Sequence, residues 1–367
     1  MSYQSIDTLQ NTLKNTVFSH TKDAKKSAGR ALGTMVELIT YYLLREWGLC
    51  GSISIERALP EYGDEEIRHN VEFTLHSIFR QNEVAVEPPM TSARIWKVLD
   101  KDIVGQFSQR KANTLLDANN ILRNSCLLAE NDDRLLVANL QRNANGQSVN
   151  VTLQQKMPFA MVECKRVGVE EGCKKGPQTI EKAKQGAYVA QTTSSLQKIW
   201  IDGLRYGIIY KNGEPTIKPY NQLLNEVIEE ELPPKGFVLS VGVVSNHGNW
   251  FTAENKNKEM KVLANAYDWL LFLTDKGLSE FITSLLLEPR GEYEVVRKAF
   301  ISSYEEGKKA NIFTKTKIDK HAHEALCNYF SENIKNIEGW FNVIAPAECS
   351  IIGLKEALKC LKNKNRR

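Results

Sequence analysis

The residues best suited to chemistry are Glu163 and Lys165, which follow an apolar run at 159–162. Strand side chains alternate between two faces, so these two are expected on one face and Cys164 on the other. Burying a carboxylate and an ammonium is costly unless they pair or bind a ligand. A magnesium ion beside a phosphodiester satisfies both groups, because magnesium binds carboxylates and an ammonium offsets phosphate charge. The pattern therefore predicts metal-dependent cleavage of nucleic acid.

A magnesium site at this strand needs further oxygen ligands. Glu163 and the main-chain carbonyl of Cys164 are predicted to bind Mg²⁺, while Lys165 orients or activates the attacking water. The nearest acids upstream are Asp132 and Asp133, of which Asp133 is predicted to be the second carboxylate. Two alternatives stay open: the ligand is Asp132 or a more distant acid, or the pair is only part of a turn.

Helix-borne residues near the Glu-x-Lys strand are further candidates. Gln178, Lys182 and Gln185 share one face of a predicted helix, where they would contact phosphate or metal-bound water, or only solvent. Glu37 stands in the middle of an apolar helix. It is either a carboxylate on the solvent edge of that helix or an acid that reaches a metal ion or a basic partner.

Two loops are candidates for DNA contact. Lys174 and Lys175 lie in a glycine-containing link, where they would bind phosphate or only connect a strand to a helix. Asn246 and His247 follow a valine-rich strand, and both side-chain types read base edges in other proteins. The alternative for this second loop is a structural turn.

Apolar periodicity predicts the elements that position these residues. Residues 5–48 are predicted to be helical, 52–56 and 69–75 to form a hairpin, and 91–129 to be helical. Strands at 135–141 and 148–153 are predicted to continue into the Glu-x-Lys strand as an antiparallel meander.

These elements predict an α/β fold with a mixed β-sheet flanked by helices. Residues 1–250 are expected to form the core together with N-terminal helices. Residues 251–367 are expected to form a mainly helical C-terminal region packed on that core.

Composition narrows the class of protein. The 367 residues include 25% charged residues and carry a formal net charge of +4, which permits a polyanionic partner without requiring one. The seven cysteines are scattered without a Cys-x-x-Cys pair, and no signal peptide is recognisable, so a cytoplasmic protein is expected. No apolar run reaches the ~20 residues of a membrane helix. No glycine-rich nucleotide motif occurs, so no nucleotide cofactor is expected.

An acid near a strand start, Glu163-Cys-Lys165 at the end of a later strand and a helix after it resemble the PD-(D/E)XK nuclease superfamily. Within it, type II restriction endonucleases are the most similar. The resemblance implies a restriction-endonuclease-like core that cleaves double-stranded DNA with Mg²⁺, as a homodimer, leaving a 5′-phosphate. Glu163 and Lys165 match the motif and Asp133 takes the place of the first acid, although this chain has Asn131-Asp132-Asp133 where a Pro-Asp is expected.

Two other functions stay open. One is a structure-selective or repair nuclease of the same superfamily, and the other is a DNA-binding protein without enzymatic activity.

Overall fold

The computed structural model describes residues 6–62, 70–143, 146–168, 178–230, 235–247, 258–304 and 312–364. The described helices are α1 (Ile6–Asn15), α2 (Ala24–Leu44), α3 (Ser92–Val98), α4 (Lys101–Val104), α5 (Gln178–Thr193), α6 (Tyr220–Glu229), α7 (Lys258–Ala266), α8 (Asp275–Ile282), α9 (Glu294–Ser303), α10 (Lys320–Glu338) and α11 (Ile351–Lys364). The described strands up to the Glu-x-Lys segment are β1 (Ile53–Arg57), β2 (Val71–Leu75), β3 (Ile78–Val84), β4 (Met90–Thr91), β5 (Thr114–Leu116), β6 (Ile121–Arg123), β7 (Cys126–Glu130), β8 (Arg134–Asn143), β9 (Gly146–Gln155) and β10 (Ala160–Gly168). Those that follow are β11 (Gln197–Ile201), β12 (Leu204–Lys211), β13 (Glu214–Pro219), β14 (Leu239–His247), β15 (Trp269–Leu273), β16 (Lys317–Asp319) and β17 (Phe341–Ala345).

A six-stranded mixed sheet carries the Glu-x-Lys segment. Its order is β1-β2-β10-β14-β15-β17. Strand β2 is antiparallel to both of its neighbours, β14 is parallel to β10, and β15 is parallel to β14. Strands β14 and β15 are rich in valine and leucine because parallel strands are buried on both faces. The predicted α/β class with a mixed sheet is confirmed, and so is the hairpin of β1 and β2.

Helices cover both faces of this sheet at the level of β10. Helix α2 packs on β10 and β14, with apolar side chains such as Leu32, Met35 and Ile39 buried at helical spacing. The Asp23 carboxylate caps it by accepting from the Lys26 amide at 3.0 Å. Helix α5 also packs on β10 and β14 and follows β10 in the chain, as expected for a crossover between parallel strands. The side chain of Cys164 lies in the core shared with α2.

A second sheet, of order β3-β9-β8-β7, adjoins the first through a bent pair of strands. Leu75 pairs with Ala160 in the central sheet, and Ile78 pairs with Gln154 in the second sheet. The chains β2–β3 and β9–β10 therefore run side by side from one sheet into the other.

The predicted meander is therefore wrong in its third strand. Strands β8 and β9 pair as predicted, but β10 pairs with β2 and β14 in the central sheet. The chain turns between Gln155 and Phe159, where Pro158 has no amide to donate to a ladder. The helical prediction for 91–129 is also wrong, since only α3 and α4 form there before β5, β6 and β7 begin.

The C-terminal region is largely helical, as predicted, but it also contributes β15 and β17 to the central sheet. The predicted division at residue 250 thus falls between β14 and β15, which are neighbouring strands. A third, three-stranded sheet of β11, β12 and β13 packs one of its faces on α6. None of the described helices is long and apolar enough to cross a membrane.

Candidate active site

Glu163 and Lys165 meet on the α5 side of β10. The Lys165 Nζ lies 2.6 Å from the Glu163 Oε1, and only 2% of Glu163 is exposed. The other carboxylate oxygen of Glu163 accepts from the main-chain amide of Glu72 at 3.3 Å. A buried carboxylate held by an amide and an ammonium is a fixed oxygen donor, as a metal ligand needs to be.

The second carboxylate at this point belongs to Glu72 of β2. Val162 pairs with Phe73, so the next step of the same register sets Glu163 beside Glu72. The Glu72 side chain is 8% exposed, and its Oε2 lies 3.9 Å from the Lys165 Nζ. Lys165 therefore faces two buried carboxylates from adjacent strands.

A third carboxylate continues the row on β1. Ile55 pairs with Phe73 and Arg57 with Val71, so Glu56 lies opposite Glu72. Like charges on directly opposed strand positions destabilise a sheet unless a cation lies between them. The row of carboxylates on β1, β2 and β10 therefore favours a cation beside it.

Lys315 supplies part of that positive charge from the segment before β16. Its Nζ lies 2.9 Å from the Glu37 Oε2 and 2.9 Å from the Glu56 Oε1, and it also forms an ion pair with Glu72. The Asn124 side-chain amide fixes the segment by donating to the Lys315 carbonyl at 3.1 Å. The predicted basic partner of Glu37 is thus Lys315.

The close approach of α5 fixes the carboxylate of Glu163. A Cβ added at Gly186 would lie 2.6 Å from the Glu163 Cβ and 3.3 Å from its Oε2. Real Cβ atoms essentially never approach that closely, so glycine lets the helix pass directly over the acid. The helix and β2 together leave Glu163 little freedom to rotate.

The pKa values of Lys165 and Cys164, neighbours on β10, are both raised, with different consequences for their chemistry. Burial opposes the charge on Lys165, but the adjacent Glu163 carboxylate outweighs it and raises the pKa of Lys165 above its ordinary value. Lys165 is therefore a cation at neutral pH and offsets negative charge instead of accepting a proton. Burial raises the pKa of the Cys164 thiol far above its usual range, so that thiol is not a nucleophile.

The structure places the predicted first acid elsewhere. Asp132 and Asp133 are exposed in the turn between β7 and β8, in the second sheet. The Asn131 side chain organises that turn by accepting from the Asp133 amide at 3.0 Å, and the Asp133 carbonyl accepts from Lys156, which precedes β10. The turn alternative describes this pair. The prediction missed it because β8 belongs to a different sheet from β10.

The other predicted contacts have mixed outcomes. Asn246 lies in strand β14 instead of in a loop, and it is buried there, with its side-chain amide donating to the Asp275 Oδ1 at 3.2 Å. Gln185 is partly exposed beside Gly186 on α5, a helix that forms as predicted. Lys174 and Lys175, and the side chains of Gln178, Lys182 and His247, lie outside the described residues.

Glu72, Glu56 and Lys315 were missed by the sequence analysis. Glu72 had a usable signal, because a single carboxylate stands in the apolar strand Val71-Glu-Phe-Thr-Leu75 just as Glu163 does in β10. Lys315 had none, since nothing in its local sequence indicates burial.

The donor set can be compared with what a metal ion requires. Among the described residues no group of three or more His, Cys, Asp or Glu side chains is arranged to hold a metal ion. Magnesium does not need one, because it is bound through one or two carboxylates and keeps several waters. Glu72, Glu163 and the Cys164 carbonyl fit that requirement, with Lys165 beside them.

Known proteins give no further guide to the site. No family model matches the chain, and searches of curated proteins and of solved structures found no match.

Proposed function

We propose that this protein is a magnesium-dependent endonuclease that hydrolyses double-stranded DNA, and that Glu72, Glu163 and Lys165 form its active centre. One observation carries the proposal: Lys165 lies 2.6 Å from Glu163 and 3.9 Å from Glu72, both of them buried acids on adjacent strands. A purely structural ion pair needs one carboxylate. Two carboxylates and an ammonium on adjacent strands suit a metal ion and a phosphate together.

The order of the elements supports a restriction-endonuclease-like core. The resemblance implies a first acid near a strand start, then Glu-x-Lys on a later strand, then a helix. Glu72 is the second residue of β2, Glu163 and Lys165 lie on the neighbouring β10, and α5 follows. With Glu72 as the first acid, the pattern spans adjacent strands of one sheet, which Asp133 does not offer.

Each residue has a separate task in this proposal. A bound Mg²⁺ would supply Lewis-acid stabilisation of the phosphate and lower the pKa of a bound water. Glu72, Glu163 and the Cys164 carbonyl would hold it. The Lys165 ammonium would stabilise negative charge that develops on the phosphoryl oxygens. The amide of Glu72 and the packing of Gly186 keep Glu163 oriented for this purpose.

The test is cleavage of plasmid and linear duplex DNA with Mg²⁺ by the wild type, Glu163→Gln and Lys165→Met. Expected is cleavage by the wild type and a loss of about 100-fold or more in both variants, the range for removing a positioned charge. Cleavage by both variants at the wild-type rate would refute the proposal. Discrete fragments support a restriction enzyme, selective cutting of branched substrates supports the structure-selective alternative, and a mobility shift without cutting supports the non-enzymatic one.

A further inference from the structure

Lys315 pairs with a carboxylate, that of Glu72, which a bound divalent ion would also need. Its side chain is 4% exposed, and its ammonium contacts Glu37, Glu56 and Glu72 at once. Carboxylate oxygens are also the ligands that hard metal ions prefer, so Lys315 and a metal ion would compete for Glu72. Lys315 therefore acts as the resident cation of this end of the sheet.

The charges show why such a cation is needed. In the part of the chain that the structure describes, the carboxylates of Glu37, Glu56, Glu72 and Glu163 lie around two ammonium groups, those of Lys165 and Lys315. The formal charge of these six side chains is −2, and like charges facing each other across strands are unfavourable. Without Lys315 the excess would grow by one charge, in surroundings where a buried unpaired charge is costly.

The three partners of Lys315 differ in burial. Glu72 is 8% exposed, whereas the side chains of Glu37 and Glu56 are 25% and 53% exposed. Glu56 also has a φ of 49°, which is uncommon for a residue other than glycine and is a form of strain that persists at functional sites. An ammonium on a flexible stem can leave Glu72 and keep its two more exposed partners.

We infer that Lys315 is an exchangeable internal counter-ion of the metal site. Without metal it neutralises Glu72. When a divalent cation binds Glu72 and Glu163, the ammonium is released from Glu72 and stays with Glu37 and Glu56. The inference rests on the proposed function, because it takes Glu72 and Glu163 to be the metal ligands. It predicts that Lys315 weakens metal binding while it stabilises the metal-free fold.

The test is Ca²⁺ binding measured by titration calorimetry, in the absence of DNA. Glu72→Gln should weaken binding at least tenfold, because a ligand is lost. Lys315→Gln should tighten it about tenfold, equivalent to about 1.4 kcal/mol. Lys315→Arg keeps the charge and should stay within about threefold of the wild type. Unchanged or weaker Ca²⁺ binding by Lys315→Gln would overturn the inference.

A second measurement does not depend on how the variants fold. In a crystal structure of the wild type soaked in Ca²⁺, the Lys315 Nζ should lie beyond hydrogen-bonding distance of Glu72 but still pair with Glu37 and Glu56. An ion on Glu72 with Lys315 unmoved would refute the exchange alone. In the calorimetry, by contrast, Ca²⁺ binding that neither Glu72→Gln nor Glu163→Gln affects would refute the proposed active centre.

Discussion

Gly186 lies directly against Glu163, so that a Cβ at position 186 would come within 2.6 Å of the Glu163 Cβ. Helix α5 and strand β10 are therefore in direct contact at the acid that the proposed chemistry needs. That contact can be altered without changing any charged group.

Gly186→Ala should reduce DNA cleavage at least tenfold, because the added methyl group displaces the Glu163 carboxylate. Overpacking of this kind also costs about 1–3 kcal/mol of stability. The measurements are cleavage rate and urea unfolding. The matched control is Gly33→Ala on α2, where a Cβ meets nothing within 4 Å. The Gly33→Ala variant should cleave DNA at the wild-type rate and gain helix stability. Full activity in Gly186→Ala would show that Glu163 does not depend on this packing.

Glu72→Gln should reduce Mg²⁺-dependent cleavage about 100-fold or more, since it removes one of two carboxylates that would hold the ion. Asp133→Asn should leave the rate unchanged, because Asp133 is exposed in a turn of the second sheet. Both rates come from one plasmid assay. The reverse ranking would return the first-acid role to Asp133.

The Lys165–Glu163 pair should stabilise the protein up to high pH. The folded-state pKa of Lys165 is raised, so this stability is fully present below the unfolded value of about 10.4 and is lost as pH rises through the folded value. The difference in unfolding free energy between the wild type and Lys165→Met should be constant from pH 7 to about 9.5 and shrink above about 10.4. A difference that already disappears near pH 8 would contradict the raised pKa.

Asp268 should control stability on the acid side. Burial alone would raise its pKa, but Lys198 at 2.8 Å and hydrogen bonds from Tyr220 and the Ser240 amide lower it. Its stabilising effect is therefore present above the unfolded value of about 3.9 and is lost as pH falls through the lower folded value. Asp268→Asn should cost about 3–5 kcal/mol at pH 7, since it leaves the largely buried Lys198 ammonium without its carboxylate partner. The unfolding free energies of the wild type and the variant should converge as pH falls below the lowered folded-state pKa of Asp268.

The expected homodimer has a suitable surface in the three-stranded sheet. Strand pairing sets its outward face, which carries no charged residue: Gln197, Ile199, Ile201, Leu204, Tyr206, Ile208, Tyr210, Pro215, Ile217 and Pro219. Leu204 and Tyr210 are 63% and 65% exposed. An uncharged face is poorly suited to phosphates, whereas exposed apolar patches mark protein contacts.

Sedimentation velocity should give a dimer for the wild type and a monomer for Leu204→Glu, because a charge on each copy would face apolar surface. Val98→Glu is the control, since Val98 is 50% exposed on α3, outside this sheet. A monomeric wild type, or a dimer that both variants leave intact, would exclude this face as the dimer contact.

The sequence predicted the parts of the site that depend on neighbouring residues. Glu163 and Lys165 lie two positions apart on one strand, so strand periodicity alone brings them together. Glu72 lies 91 residues before Glu163 in the chain, and only the register of β2 against β10 joins them. The turn at Pro158 decides which sheet β10 enters, and alternation of side chains does not contain that information.

Lys315 shows the same limit more strongly. It reaches the site because Asn124 and the pairing of β16 with β6 hold a segment from the far end of the chain beside β1 and β2. Such long-range placement follows from packing of the whole molecule.

The pair of chains β2–β3 and β9–β10, which bends from one sheet into the other, connects the two acids to the second sheet. Glu72 and Glu163 sit on the two chains that run onward, as β3 and β9, into the second sheet. One end of this strand pair carries the two acids, and the other end belongs to the four-stranded second sheet. We expect a partner that tilts the second sheet to change the spacing of the two acids, because backbone hydrogen bonds join β2 to β10 and β3 to β9.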